Sequence, residues 1–388
     1  MTTTSTLPNP GATGTNPLKA LNEYGQSPWM DYIRRDLLTS GGLKKMIDND
    51  GLRGMTSNPT IFEKAITGGT YYSDITDSPD AKKLDAKGIY EKIAIRDVQD
   101  AADIFKGVYA ATKVRDGYVS LEVSPLLANN TQGTIEEARR LWKSVNRENV
   151  MIKVPATPEG IPAIRQLLED GININITLLF AQSAYEQVAE AFTAALEARA
   201  KKGEDISKIA SVASFFVSRI DTLIDGKIEE QLKTEKDAGK KALLESVEGK
   251  VAIANAKLTY KKYQELFGGA RWKALAAKGA QTQRLLWAST STKNKKYRDV
   301  LYVEELIGAD TVDTIPPATF DAFRDHGKLR NSLTENVDAA AKTMSDLEKA
   351  GISMKEVTEK LVVDGVKLFA EAFDKLLEGT GKTAGVQA

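Results

Sequence analysis

The sequence predicts a single closed (β/α)8 barrel with helical insertions and a helical C-terminal segment. Three observations predict it. Eight short apolar runs of strand length recur along the 388 residues. Longer amphipathic stretches separate them, and alternation at this pace implies a parallel sheet covered by helices. Eight such units suffice to close a barrel. An open doubly wound sheet is the alternative on pattern alone, but no glycine-rich dinucleotide fingerprint follows a strand.

The strand candidates, in order, are SPWMDYI (27–33), LRGMTSNP (52–59), GYVSLEV (117–123) and VMIKVPAT (150–157). They continue with ININITLLF (172–180), KIASVASFF (208–216), QRLLWAST (283–290) and ADTVDTIPP (309–317). Between them, IEEARRLWKSV (135–145) sets Ile135, Ala138, Leu141, Trp142 and Val145 at helical spacing. IPAIRQLLEDG (161–171) closes on Gly171, a frequent C-cap residue. SAYEQVAEAFTAALEARAKKG (183–203) ends on two lysines and Gly203, which suits the negative end of a helix dipole.

Two connections are long. Residues 60–116 read as a loop around ITGGTYYSDITDSPD followed by a helix. Residues 221–282 hold a charged helical pair, from about Thr222 to Lys240 and from about Ala242 to Phe267, predicted as an insertion and not a domain. Helices over about 331–378 are expected to pack around the barrel. The first seventeen residues, rich in Thr, Pro and Gly, read as a flexible tail, which leaves 18–388 as the barrel domain.

Composition narrows the function. Apolar residues make up 42%, enough for a large core, and 53 basic residues balance 53 acidic ones. Net neutrality gives no support to nucleic-acid binding, so an anionic ligand must be met by a local cluster. The absence of Cys excludes disulfides, thiolate metal sites and Cys nucleophiles. The one His, His326 in RDHGK (324–328), rules out a zinc site built on several imidazoles and reads as a surface residue. No metal or other cofactor is expected. The N-terminus lacks the marks of a secretory signal. No apolar stretch reaches the roughly 18 residues of a membrane span, so a cytoplasmic protein without membrane contact is expected. A monomer or a homodimer is expected.

Polar residues occupy positions where barrel strands should be apolar. Strands alternate between inside and outside. In VMIKVPAT, Ile152 and Val154 should meet the helices, which turns Lys153 inward. Desolvation favours the neutral form of an amine, and a neutral amine is what imine formation with a ketone requires. A lysine held only for structure by an inward carboxylate is the competing reading. Neighbouring strands decide between them. Ser120 and Glu122 share a face, Asp31 follows Trp29, and Thr56 stands with Asn58. Asn173, Asn175 and Thr177 oppose three isoleucines, and Ser214 and Phe216 share a strand face. Unpaired buried polar groups cost roughly 1–3 kcal/mol each, so this convergence reads as a catalytic pocket. Barrel sites lie at the C-terminal strand ends. Arg219 follows the sixth run, Ser289 ends the seventh and Lys293 comes soon after; a hydroxyl with two cations makes a workable phosphate clamp.

These segments resemble a known family. TSNPT (56–60), MIKVPAT with EGI (151–157, 159–161) and GININITLLF (171–180) look like signature segments of transaldolases. VSLEV (119–123) and SRI (218–220) match further blocks, and the resemblance spans about residues 16–330. SPWMDYIRRDL (27–37) and NPTIFEKAI (58–66) are similar to the longer bacterial branch.

The resemblance implies a dihydroxyacetone transfer between sugar phosphates, its small-molecule ligands, in the non-oxidative pentose phosphate pathway. Lys153 would be its Schiff-base lysine. Glu122 would act through a water, and Asp31 would be the acid/base of carbon–carbon cleavage. It further implies that Thr56, Asn58, Asn175 and Thr177 orient the three-carbon unit and the water. Ser214 and Phe216 would line the pocket, and Arg219 and Ser289 would contact phosphate. Shorter members have an Arg two residues after the Ser, where this chain reads STSTKN (289–294). Lys293 is the candidate substitute, a point charge without the bidentate fork. The nearest rival is a fructose 6-phosphate aldolase that releases free dihydroxyacetone. Such members are shorter and tend to carry Gln in place of Glu122 and Tyr in place of Phe216. A non-catalytic sugar-phosphate sensor is the rival from another class.

Overall fold

The computed structural model describes residues 16–386. Its core is a closed barrel of eight parallel strands paired in chain order, the TIM-barrel arrangement. They are β1 (Gln26–Asp31), β2 (Gly54–Thr56), β3 (Tyr118–Glu122), β4 (Val150–Pro155), β5 (Ile174–Leu179), β6 (Ser211–Phe216), β7 (Arg284–Ala288) and β8 (Thr311–Ile315). Pairing of β1 with β8 closes the ring, with Trp29 opposite Thr314. Every predicted run holds its strand except that β1 starts one residue earlier, at Gln26, and every strand but β6 stops short of the end of its run. The runs took in rim residues whose backbone already turns away. Asn58 is the clearest case: it lies beyond β2 and caps the helix Pro59–Thr67, accepting from Ile61 N at 3.0 Å.

The helical stretches form where the periodicity put them, with somewhat different ends: Thr131–Val145, Gly160–Glu169 and Gln182–Lys201. Asn146, in the left-handed region at φ 48°, ends the first. Three readings need correction. The connection 60–116 begins with the helix Pro59–Thr67, ahead of its loop, and its long helix runs Ala86–Ala111. The insertion holds not two helices but four: Ser218–Thr234, Ala238–Val247, Val251–Gly268 and Ala270–Ala276. Asp237 caps the second of these through Lys240 N, a start signal inside the stretch 222–240 that periodicity alone joins into one helix. The C-terminal segment resolves into Val337–Lys349 and Met354–Ala384, six residues longer than the 378 boundary. The predicted tail lies outside the described residues over 1–15. Its last two residues belong to the fold, where Asn16 caps a short helix Pro17–Ala20.

The N-terminal end of the barrel is closed by a buried ion pair. Arg284 donates to Asp116 Oδ1 at 2.8 Å, to Ser27 Oγ at 2.7 Å and to the Arg115 carbonyl at 2.7 Å. Asp116 accepts further bonds from Ser27 and the Trp29 indole. No helix among the described residues is long and apolar enough to cross a membrane.

Candidate active site

Alternation brings the polar residues of successive strands to the C-terminal mouth. On β1, Ser27 and Trp29 reach the basal plug, so Asp31 two residues on emerges at the top. Thr56 of β2 donates to Asp31 Oδ1 at 2.7 Å and meets Thr314 of β8 at 2.6 Å. Parallel register then sets Glu122 beside Lys153 and Lys153 beside Asn175. Lys153 Nζ stands 3.5 Å from Glu122 Oε2 and donates to the Ser57 carbonyl at 3.2 Å. Both side chains are buried, at 7% and 5% exposure. A separation of 3.5 Å is an ion-pair contact at the limit of hydrogen bonding. Among the described residues Glu122 Oε2 has no hydrogen-bond partner, and neither has Thr177 Oγ1.

The two carboxyls are poised unlike solvent-exposed acids. Burial raises Asp31 above the usual carboxylate range, partly offset by the Lys153 charge and the Thr56 bond. Burial likewise raises Glu122, again against the attraction of Lys153.

Asp31, Thr56, Asn58, Lys153, Thr177, Ser214, Phe216, Arg219, Ser289 and Lys293 line one open cleft of about 350 Å³, a volume suited to a small ligand. Two predicted residues do not line it. Glu122 stands behind Lys153. Asn175 lies beneath the floor with both ends of its amide engaged, donating to Ser120 Oγ at 3.0 Å and accepting from Ser214 Oγ at 2.7 Å. Asn173 is further down, donating to the Glu148 and Val150 carbonyls. Strained backbone frames the cleft: Leu178 has φ 61° at a β5 irregularity, and Ser289 has φ 58° just past β7.

The cations gather at the far side. Arg219 sits in the first turn of Ser218–Thr234, its guanidinium 5.2 Å from the Phe216 ring centre and 5.7 Å from that of Phe369. Lys293 Nζ donates to Ser291 Oγ at 2.6 Å. Among the described residues neither cation has a carboxylate partner in an ion pair. Burial lowers the pKa of both, and the Arg219 charge lowers that of Lys293 further.

The insertion supports this side. Tyr302 donates to Asp221 and Tyr297 to Asp225, tying the segment after Lys293 to the helix that carries Arg219. Asp221 also accepts from Ala252 N, and Asp225 from Gly249 N, at the start of the helix Val251–Gly268. Burial pushes Asp221 up to about 7.

Five polar or aromatic residues of the cleft lie outside those the sequence singles out, Thr60, Lys64, Ser291, Thr314 and Phe369, beside the apolar Ile61, Ala288 and Pro316. Strand alternation in TVDTI would have revealed Thr314, two places after the inward Val312. Phe369 comes from the C-terminal helix and carries no local signal. His326 is exposed between Asp299 and Asp325, both at 3.0 Å, and does not line the cleft. Among the described residues no cluster of His, Asp and Glu could hold a metal ion.

A parallel eight-stranded barrel with a buried lysine, two acids and free cations at its C-terminal mouth defines a barrel enzyme. Residues 28–380 match the family model described as Transaldolase/Fructose-6-phosphate aldolase. The chain is 51% identical to the protein named Transaldolase of Trichodesmium erythraeum (strain IMS101), covering 94% of this chain and 96% of that one. It is 47% identical to Transaldolase 2 of Nostoc sp. (strain PCC 7120 / SAG 25.82 / UTEX 2576), over 93% and 96%. It is 42% identical to Transaldolase of Thiobacillus denitrificans (strain ATCC 25259 / T1), over 94% and 100%. The chain belongs to the transaldolase/fructose-6-phosphate aldolase family and is an enzyme, a transferase.

Proposed function

We propose that this enzyme transfers a dihydroxyacetone unit through a Schiff base on Lys153, in the cytoplasmic, non-oxidative pentose phosphate pathway. The donor is sedoheptulose 7-phosphate or fructose 6-phosphate, and the acceptor is glyceraldehyde 3-phosphate or erythrose 4-phosphate. One observation carries the reading. A buried amine lies 3.5 Å from a carboxylate oxygen that has no other partner among the described residues, in a cleft whose far side holds two cations.

The steps follow from those positions. The Lys153 amine adds to the donor ketone, and loss of water leaves a protonated imine. Glu122, through a bridging water, moves the protons of that dehydration. Asp31 takes the hydroxyl proton from C4 as the C3–C4 bond breaks, and the electron pair flows into the imine to give an enamine. The aldose phosphate departs, an acceptor aldehyde enters, and the steps reverse. Thr177 and Asn58 offer hydrogen bonds to the three-carbon unit, and Ser214 with Phe216 shapes its pocket. Asn175 acts from below by fixing Ser214. Arg219, Ser289 and Lys293 receive the phosphate.

Donor alone should release one equivalent of aldose phosphate per enzyme and then stall until acceptor is added. Continuous turnover without acceptor would reassign the reaction to the aldolase type. Asp31 must start ionised, and its pKa is raised. Activity should therefore fall on acidification at a pH above the ordinary carboxylate range, read as the acid limb of kcat/KM.

A further inference from the structure

The C-terminal helix Met354–Ala384 lies across the barrel mouth. Its residues 365, 369 and 373 fall on one face, four apart. Gly365 rests on the strained Leu178: a Cβ there would come within 2.8 Å of Leu178 Cδ2, and 3.7 Å from an Arg219 guanidinium nitrogen. Phe373 packs edge-on against Tyr90 at 5.8 Å and lines a small void shared with Glu122. Between them, half-buried Phe369 lines the cleft, its ring centre 5.9 Å from Lys153 Nζ and 5.7 Å from Arg219. Among the described residues no other aromatic ring comes within cation–π range of the Lys153 amine.

We infer that Phe369 decides the fate of the enamine, by shielding the Lys153 adduct from the water that would protonate the enamine carbon, so that transfer outruns release. The inference rests on the Lys153 transfer reading. Two routes lead on from the enamine. In transfer, its carbon attacks an aldehyde, and water then hydrolyses the product imine to free the new ketose and the amine. In release, that carbon takes a proton, water adds to the resulting imine carbon, and the carbon–nitrogen bond breaks. Free dihydroxyacetone and the amine result, with one water consumed. Both routes end in hydrolysis of an imine on Lys153, but only release needs water to reach the enamine carbon as its proton donor. A flat apolar ring over the nitrogen opposes that entry and faces the cationic imine with its π-cloud.

The test compares wild type with Phe369→Ala and Phe369→Leu, using fructose 6-phosphate as donor. Two rates are measured: slow aldose phosphate release without acceptor, and transfer to erythrose 4-phosphate. Their ratio is the readout, because a merely structural role would depress both rates together. Phe369→Ala should raise the release-to-transfer ratio about tenfold, the result of losing roughly 1.4 kcal/mol of discrimination between two barriers. Phe369→Leu, which keeps the helix packed with a narrower side chain, should raise it to an intermediate value. An unchanged ratio in a folded variant that still traps donor carbon on Lys153 with borohydride would overturn the inference alone. Should Phe369→Ala fail to fold, an unchanged ratio in Phe369→Leu overturns it equally. If wild type traps no carbon on Lys153, the functional reading falls, and this inference with it.

Discussion

The barrel buries a cation against a carboxylate at each end, and the two pairs are built differently. At the base, Arg284 and Asp116 are almost fully satisfied: Asp116 accepts from Arg284, Ser27 and Trp29 at 2.7 to 3.1 Å. At the mouth, Lys153 and Glu122 approach only to 3.5 Å, and Glu122 Oε2 has no hydrogen-bond partner among the described residues. Electrostatics follow the bonding. Arg284 overcomes burial to hold Asp116 below its ordinary pKa, whereas burial wins at Glu122 and Asp31 and raises both. A satisfied buried pair is a structural plug. An unsatisfied one retains donors and acceptors for a ligand. Saturation of hydrogen bonding, not burial of charge, distinguishes the two ends.

The largest expected effect lies at the base. Arg284→Met leaves Asp116 buried without its cation and should destabilise the fold by about 3–5 kcal/mol, read from denaturant unfolding. A loss near zero would erase the contrast between the ends. At the mouth, Glu122→Gln should slow imine formation about 10²-fold, while stability stays level or rises because a desolvated charge is gone. Full activity in that variant would remove Glu122 from the mechanism.

The pH dependence of stability should separate the ends as well. Asp116 has a depressed folded pKa, so its contribution is present above the unfolded value and lost as pH falls through the folded one. Glu122 has a raised folded pKa, so stability is greatest while it is protonated and is lost as pH rises through that value. Unfolding titrations of Asp116→Asn and Glu122→Gln should therefore flatten opposite sides of the wild-type profile. The same side flattening in both would contradict the assigned directions.

The smallest effect concerns the cation side. Tyr297→Phe removes the bond to Asp225 that steadies the segment after Lys293. A loss of about 1 kcal/mol should raise KM for fructose 6-phosphate about fivefold and leave kcat near wild type. Equal losses for unphosphorylated fructose would place the effect elsewhere.

Legibility in the sequence divides along the same physical line. Strand periodicity exposes whatever points inward, so Lys153, Glu122 and Asp31 stood out against the isoleucines and valines around them. Periodicity does not say which inward polar groups are already spoken for. Asn175 reads as a ligand contact, yet both ends of its amide are bonded to serines, whereas Asn58 caps a helix through its side-chain oxygen and still lines the cleft. Arg284 fell within a predicted strand and passed unnoticed, because its partner Asp116 is distant in sequence. Phe369 belongs to a helix whose register over the mouth is set by packing on Leu178 and Arg219, which no local pattern records. The division of 221–282 was partly written in the chain, in the capping Asp237.

Mass spectrometry of the protein after borohydride treatment with fructose 6-phosphate tests the central claim most directly. The account predicts one reduced three-carbon adduct, carried on the peptide that contains Lys153 and absent from Lys153→Ala. An adduct on a different lysine, or none under conditions that support transfer, would contradict it.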